Sequence, residues 1–415
     1  MSSTHTFSFA AQTIALLFTL LSLAALAYSI FVFRAARAYT RSCRLPLPAF
    51  YPPVSILKPV KGVDPDMYAA FASHCRQDYP GEVEILFGVS SLEDPAVELI
   101  HQLQREFPQL AIRLLLCPQV LGANGKVGNL VQLAAQARYQ HLLINDSDIR
   151  VSPHYLRNVM PAFATPASSA AATAKPVGMV TALYRGRSHG TSLGAPHATL
   201  GSRLEALGIA TDFMPGVLTA RWLEKGLHFG LGSTLAVTRE ALEAIGGLLP
   251  LVDHLADDYE LGARIFQAGY RVELAREVVE TSIPPYTFSQ FFAHQLRWAR
   301  TVRVSRPLGY LGLLVTFGVP WALANCIASA ASLDSIALLS VMVSIRIAMA
   351  LSIGVGILGD QATLRDLWLL PLRDILALLV WFWSFADNDI VWRGERFHLH
   401  AGKLTRESEH AGNFN

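Results

Sequence analysis

The sequence predicts an α/β fold, a mostly parallel sheet with crossover helices, set between hydrophobic segments long enough to enter a membrane. Three observations point there. From Val54 to Asn145 short apolar runs alternate with helix-patterned stretches, the rhythm of strand–helix–strand units. Phe7 to Phe33 contains no charged residue and exceeds the ~20 residues needed to span a bilayer. Three further apolar segments, Leu308–Ala330, Ser335–Leu358 and Leu367–Phe385, follow the soluble part. The 415 residues suffice for one sizeable core plus membrane segments. Only 16% of them are charged, below the usual share of about 25%, and 52% are hydrophobic, as a membrane protein with a soluble portion requires.

Each element has a local reason. The first apolar segment reads as an uncleaved anchor, because no Lys or Arg precedes Phe7 and the run is longer than a signal-peptide core. Arg34, Arg37, Arg41 and Arg44 follow at once. By the positive-inside rule they place the next domain in the cytoplasm and the N-terminus outside. Residues 1–44 thus form an anchor with a basic flank, and 45–285 a cytosolic domain entered through the stiff Leu45-Pro46-Leu47-Pro48 and Pro52-Pro53. Val54–Val60 and Val83–Val89 read as strands. Pro65–Cys75 and Ala96–Phe107 read as helices, the latter opened by Asp94-Pro95. Ile112–Leu116, Val127–Ala137 and His141–Asn145 continue strand, helix, strand. Ala162–Ala174 reads as a surface loop, Gly178–Tyr184 and Phe229–Val237 as strands, Arg239–Ala244 and Tyr259–Ala268 as helices; residues 185–228 give no clear pattern.

Tyr286–Arg306 mixes Phe288, Phe291, Phe292 and Trp298 with four arginines, the composition of an amphipathic helix at a membrane surface; a core helix is the alternative. Residues 286–307 are assigned to that helix, 308–390 to two or three membrane spans and 391–415 to a polar tail. Arg346 and Arg373-Asp374 lie inside the last two apolar segments, where ionisable groups must face protein or water. Three full spans would leave the C-terminus outside, yet Arg393, Arg396, Lys403 and Arg406 favour the inside. A re-entrant or interfacial third segment reconciles the two.

Composition narrows the chemistry. A net charge of +2 is too small to imply a nucleic-acid partner. Cys43, Cys75, Cys117 and Cys326 stand far apart without a CxxC pair, which suggests neither a disulfide framework nor a zinc site and suits a reducing compartment. Ligands of parallel sheets bind beyond the carboxyl ends of strands, and Asp94 and Asp146 both fall there. Asp146-Ser147-Asp148 is suited to a hard divalent cation, Mg2+ or Mn2+, and through it a phosphate-bearing donor; a solvated turn is the plain alternative. Gly122-Ala-Asn-Gly-Lys126-Val-Gly128 lacks the hydroxyl of a P-loop and suits either a diphosphate pocket or an ordinary turn. No G-x-G-x-x-G follows the first strand, against a dinucleotide dehydrogenase. Asp257-Asp258 opens a helix. Either is an N-cap, or the pair raises one carboxyl's pKa toward that of a general base. His294, Arg297 and Trp298 share a helix face. The cation suits a leaving diphosphate and the indole a sugar or acceptor; lipid phosphate and interface anchoring are the bland counterparts.

Taken in order, these motifs resemble those of the ceramide glucosyltransferase family, which is similar to cellulose and hyaluronan synthases in carrying a GT-A domain with D, D, D and (Q/R)xxRW motifs. The resemblance runs from about Pro53 to Trp392. It implies that Asp94 contacts the donor nucleotide, that Asp146 binds metal with Asp148 as helper, and that Asp258 is the general base with Asp257 in support. Lys126 matches the family's Lys before Asn-Leu, here Asn129-Leu130. His294-Gln295-Leu296-Arg297-Trp298 departs from the pattern by placing His where the family has Gln or Arg. His294–Arg303 and Leu255–Gly262 look most like a bacterial branch associated with hopanoid biosynthesis, which implies an inner-membrane location.

The expectation is therefore an inverting hexosyltransferase with an α/β GT-A (Rossmann-like) cytosolic domain. It would move one sugar from UDP-glucose or UDP-N-acetylglucosamine to a lipid hydroxyl, on ceramide or on a hopanoid such as bacteriohopanetetrol. Asp94, Lys126, Asp146, Arg297 and Trp298 would bind the donor. A processive polysaccharide synthase is the nearest rival, though it needs more membrane segments. A non-catalytic membrane protein that binds sugar lipids is the rival of another class.

Overall fold

The computed structural model describes residues 2–64, 66–164, 175–188, 198–392 and 395–406. Most of the expected loop Ala162–Ala174, and Arg393, lie outside the described residues. The chain forms two compact units. One comprises Cys43–Thr199, Ala220–Pro285 and Asp389–Asn415; the other comprises Met1–Ser42, Leu200–Thr219 and Tyr286–Asn388. Leu200–Thr219, unread in the sequence, thus belongs with the apolar helices.

The first unit is built on strands β1 (Val54–Pro59), β2 (Val83–Val89), β3 (Ala111–Leu116), β4 (His141–Ile144), β5 (Ile149–Arg150), β6 (Val177–Ser188), β7 (Leu235–Thr238) and β8 (Arg271–Ile283). Their order is β3-β2-β1-β4-β7-β6-β8-β5. β1, β2, β3 and β4 run parallel, as do β6 and β8, while β7 is antiparallel to both its neighbours. This is the mostly parallel α/β sheet expected of a GT-A domain. Central strands buried on both faces read as continuous apolar runs. Val54, Ile56 and Leu57 of β1 are fully buried, and so are Leu142, Leu143 and Ile144 of β4. β8 escaped the sequence reading because Arg271, Glu273, Arg276, Glu277 and Glu280 interrupt its apolar pattern, and a parallel partner, β6, specifies it instead. Three more strands, β9 (Asp389–Trp392), β10 (Glu395–His400) and β11 (Lys403–Arg406), form a small antiparallel sheet where the composition suggests only a polar tail.

Among the described residues, two helices are long and apolar enough to cross a membrane, Ala11–Cys43 and Leu333–Val355. The chain is a membrane protein. The first C-terminal apolar segment is a pair of helices, Pro307–Thr316 and Gly318–Ala328, bent by 52°. The last is a helix of only 14 residues, Leu370–Trp383. At 1.5 Å per residue it rises about 21 Å, short of the ~30 Å hydrocarbon core. The amphipathic helix runs Phe288–Ser305 and starts with a capping box between Thr287 and Gln290.

The ionisable groups in the apolar segments find one another. The Arg346 guanidinium donates to both carboxylate oxygens of Asp374 at 3.0 Å, to the Thr211 carbonyl at 2.6 Å, and to Asp212. Arg373 reaches Asp212 at 3.1 Å. Two arginines thus answer two aspartates, the arrangement that makes buried charge tolerable. Arg346→Ala strips Asp374 of its main cation. It is expected to cost about 3–5 kcal/mol, as removal of one partner of a buried pair does. The readout is a lowered melting temperature of the detergent-solubilised protein; an unchanged one would mean that water already solvates the cluster.

Candidate active site

The site is assembled at the carboxyl ends of the parallel strands, the rim where such sheets bind ligands. β4 ends in Asn145, a fully buried residue that the sequence reading treated only as strand. Its amide donates to the Tyr155 hydroxyl at 2.9 Å and the Ser233 carbonyl at 2.7 Å, while its oxygen faces His74 Nε2 at 3.2 Å. This fixes the backbone from which Asp146 departs. Underneath, fully buried Lys58 at the end of β1 donates to the Asp146 carbonyl at 3.1 Å. Burial pulls its ammonium down to about 7, against the pull of Asp148 and Asp146 in the other direction.

Asp146 and Asp257 are brought together by one cation. Lys126 Nζ lies 2.8 Å from Asp146 Oδ1 and 3.2 Å from Asp257 Oδ2. Burial disfavours its charge, but the two carboxylates override that and hold it firmly protonated. Lys126 is placed by the helix Gly125–Gln136, whose N-cap Asn124 accepts from the Val127 N–H. The Gly-rich loop is therefore an ordered helix entry. Gly122 is glycine because a Cβ there would stand 2.6 Å from Val252.

Asp148 is partly buried and accepts a hydrogen bond from the Thr281 hydroxyl on β8. Burial, then the charge of Asp146, raises its carboxyl to about 6. Ser147, between the two acids, donates to Asp64 at 2.8 Å. Asp64 is a further acid that no motif announced. Asp94 is occupied locally. Its two oxygens accept from the Gly62 and Ala96 N–H groups, each at 2.9 Å, and tie the loop after β1 to the helix Ala96–Glu106.

Asp257 and Asp258 are the first residues of the helix Asp257–Gln267, and its N-cap is Ala256, so neither acid is the cap. Asp258 Oδ2 accepts from the Gly232 N–H at 2.7 Å and Oδ1 from the Tyr259 N–H at 2.8 Å. Burial and then Asp257 raise its carboxyl to about 6, with Lys126 opposing. Gly232 is the residue the sequence reading missed. A Cβ built on it would lie 3.1 Å from Asp258 Oδ2 and 3.4 Å from Asp146 Oδ2, so both carboxylates border the space its missing side chain leaves.

His294, Arg297 and Trp298 belong to the membrane unit. The imidazole of His294 stacks on Tyr286 at 5.3 Å and meets Trp298 at 5.0 Å, and Trp298 meets Phe213 at 6.0 Å. Buried Glu205, another residue without a sequence signal, lies 3.1 Å from His294 Nδ1 and accepts from Gln295 at 2.8 Å.

The sequence profile of glycosyl transferase family 21 matches residues 17–405. The chain belongs to that family. Membership makes it a hexosyltransferase, and a purely sugar-lipid-binding role gives way to catalysis. Ceramide glucosyltransferase 3 of Caenorhabditis elegans is 24% identical over 366 residues, 84% of this chain and 73% of that protein. Ceramide glucosyltransferase 1 of the same organism is 24% identical over 249 residues, 60% of this chain and 49% of that protein. Among solved structures, a mannosyltransferase from Pyrobaculum calidifontis in complex with GDP-Man and Mn2+ is similar with a TM-score of 0.47 and 19% identity, over 88% of this chain and 99% of that one.

The donor set suits a hard cation. Asp146 and Asp148 offer oxygen ligands, and among the described residues the cations beside the two acidic motifs are Lys58 and Lys126. No cluster of three or more His, Cys, Asp or Glu suited to a metal exists among the described residues. Gly232→Val tests the geometry. Its side chain would enter the space beside Asp258 and Asp146, and kcat/KM is expected to fall at least about a hundred-fold with the melting temperature preserved. Wild-type turnover in that variant would show that the reacting groups lie elsewhere.

Proposed function

We propose that the protein transfers one hexose from a UDP-sugar to the hydroxyl of a membrane lipid, with inversion, and that Asp258 is the general base. The observation that carries this reading is the Asp258 carboxyl, raised to about 6 and fixed by two backbone N–H groups beside Asp146 across side-chain-free Gly232. A base with that affinity is ionised at neutral pH and still binds a proton usefully in the transition state. The acceptor O–H proton passes to Asp258, the oxygen forms a bond to the anomeric carbon, and the bond from that carbon to the diphosphate oxygen breaks with its electron pair leaving on UDP.

Asp146 and Asp148 would hold Mg2+ or Mn2+, whose charge, when bound, offsets that of the diphosphate. Lys126 adds a fixed positive charge between the second and third acidic motifs. Asp94 is assigned to the donor nucleotide, and Arg297 and Trp298 to leaving group and acceptor, from the family resemblance. A lipid acceptor is supported by the spans Ala11–Cys43 and Leu333–Val355 and by the ceramide glucosyltransferase relatives. Ceramide and a hopanoid polyol are the acceptors to compare, and UDP-glucose and UDP-N-acetylglucosamine the donors. Arg34, Arg37, Arg41 and Arg44 favour the cytoplasmic side for the sheet unit, and the resemblance to the hopanoid-associated bacterial branch implies a bacterial inner membrane.

Asp258→Asn is expected to abolish lipid glycosylation while UDP binding, followed calorimetrically, survives; turnover near wild type would remove Asp258 as the base. In the wild-type protein Asp258 must be ionised. The rate is therefore full above its pKa and falls as pH drops through about 6. A pH–rate profile whose acidic limb lies above 7 would contradict that ordering. Chelation with EDTA is expected to stop transfer and added Mg2+ or Mn2+ to restore it. Full activity in the chelated sample would exclude the cation role of Asp146 and Asp148.

A further inference from the structure

The polar C-terminal segment has no place in the catalytic reading, yet it pairs directly with the chain leading into Asp257 and Asp258. Phe397, Leu399 and Leu404 of the β10–β11 hairpin are buried. The hairpin turns through Ala401 and Gly402, with φ of 48° and 79°, the positive values that a two-residue hairpin turn matched to strand twist demands. At this turn it docks on residues 253–255. The Leu404 N–H donates to the Asp253 carbonyl at 2.7 Å, the Leu255 N–H donates to the Gly402 carbonyl at 3.3 Å, and His254 bridges antiparallel to Lys403.

The other side of the same short segment carries the Gly-rich loop. The Ala123 N–H donates to the Asp253 carboxylate at 2.9 Å, the Asn124 N–H to the Val252 carbonyl at 2.6 Å, and the Asn124 amide to the His254 carbonyl at 2.8 Å. Asn124 caps the helix that bears Lys126, and Lys126 returns to Asp257 at 3.2 Å. Residues 252–256 form no strand or long helix of their own. Their position is set by the hairpin on one side and the Lys126 loop on the other.

We propose that the C-terminal hairpin is a positioning element of the active site: through its turn at Ala401–Gly402 it holds residues 252–257 against the Gly122–Lys126 loop, and so fixes Lys126, Asp257 and Asp258 for transfer. The inference rests on the reading of Asp258 as the base. It makes the tail part of the catalytic apparatus without contact to substrate. A loosened hairpin frees the Asp253 carbonyl and the Leu255 N–H, and the start of the helix Asp257–Gln267 drifts with them. Binding of the donor to Asp146 and Asp148 changes less, because β4 and Asn145 hold those residues independently.

The test uses the full-length protein in detergent, with Gly402→Val, Gly402→Asn and Leu404→Asp beside Asp258→Asn. Val strains a position at φ 79°, whereas Asn tolerates it. Gly402→Val and Leu404→Asp are expected to lower kcat about ten- to a hundred-fold and to leave the KM for the active UDP-sugar within about three-fold. Gly402→Asn keeps wild-type kcat. Amide hydrogen exchange should quicken at 251–258 while β1 and β4 stay protected. Unchanged kcat in Gly402→Val and Leu404→Asp overturns the proposal, and so does an equal loss of protection in β1 and β4, which would make the hairpin merely structural. Those outcomes with Asp258→Asn inactive refute the hairpin's role alone; transfer retained by Asp258→Asn refutes the base reading instead.

Discussion

The Lys126 ammonium, held between Asp146 and Asp257, is the interaction on which the site depends. Two acidic motifs separated by more than a hundred residues must lie close enough to act on one donor, and unscreened carboxylates in a partly buried setting repel. One buried cation reaching both converts that repulsion into attraction, and its geometry dictates the surroundings. Asn124 must cap the helix that points the lysine inward, Gly122 must lack a side chain to let the loop approach Val252, and Asn145 must spend its amide fixing the strand end beside it. The partial charge at the start of a helix adds to this, since Asp257 and Asp258 occupy the first turn of Asp257–Gln267.

What could be read in the sequence was what local physics specifies. β1, β2 and β4 are apolar because both faces are covered, so their positions were legible, and with them the placement of Asp146 just past a strand. The pairing of Lys126 with Asp257 was not, because sequence separation carries no distance. Gly232 and Asn145 were invisible for another reason. A glycine that keeps space open and an asparagine that pins a backbone have no periodicity and no motif. β8 and the C-terminal hairpin were lost to their charges. They lie on half-covered parts of the sheet structure, where every second residue may face water without penalty, and only pairing with β6 or with residues 253–255 reveals them as strands. The segment Leu367–Phe385 left open a span and a re-entrant or interfacial piece. Its composition is that of a span, but its helix begins only at Leu370, with Pro371 in the first turn, and is too short for one.

Buried charge is answered differently in the two units, and the difference separates scaffold from chemistry. In the membrane unit Arg346 and Arg373 lie within ion-pair distance of Asp212 and Asp374, so each charge has an opposite. In the sheet unit the cations beside Asp146, Asp148, Asp257 and Asp258 are, among the described residues, Lys58 and Lys126, and Lys58 is itself drawn toward neutrality by its burial. Four acids against two cations, one of them weakened, leave this cluster short of positive charge. Burial first, and the neighbouring acid second, raise the proton affinity of both Asp148 and Asp258. In the proposed reading a divalent cation would offset the negative charge at Asp146 and Asp148, and the raised proton affinity of Asp258 would serve a general base, with the Lys126 ammonium standing between the two motifs.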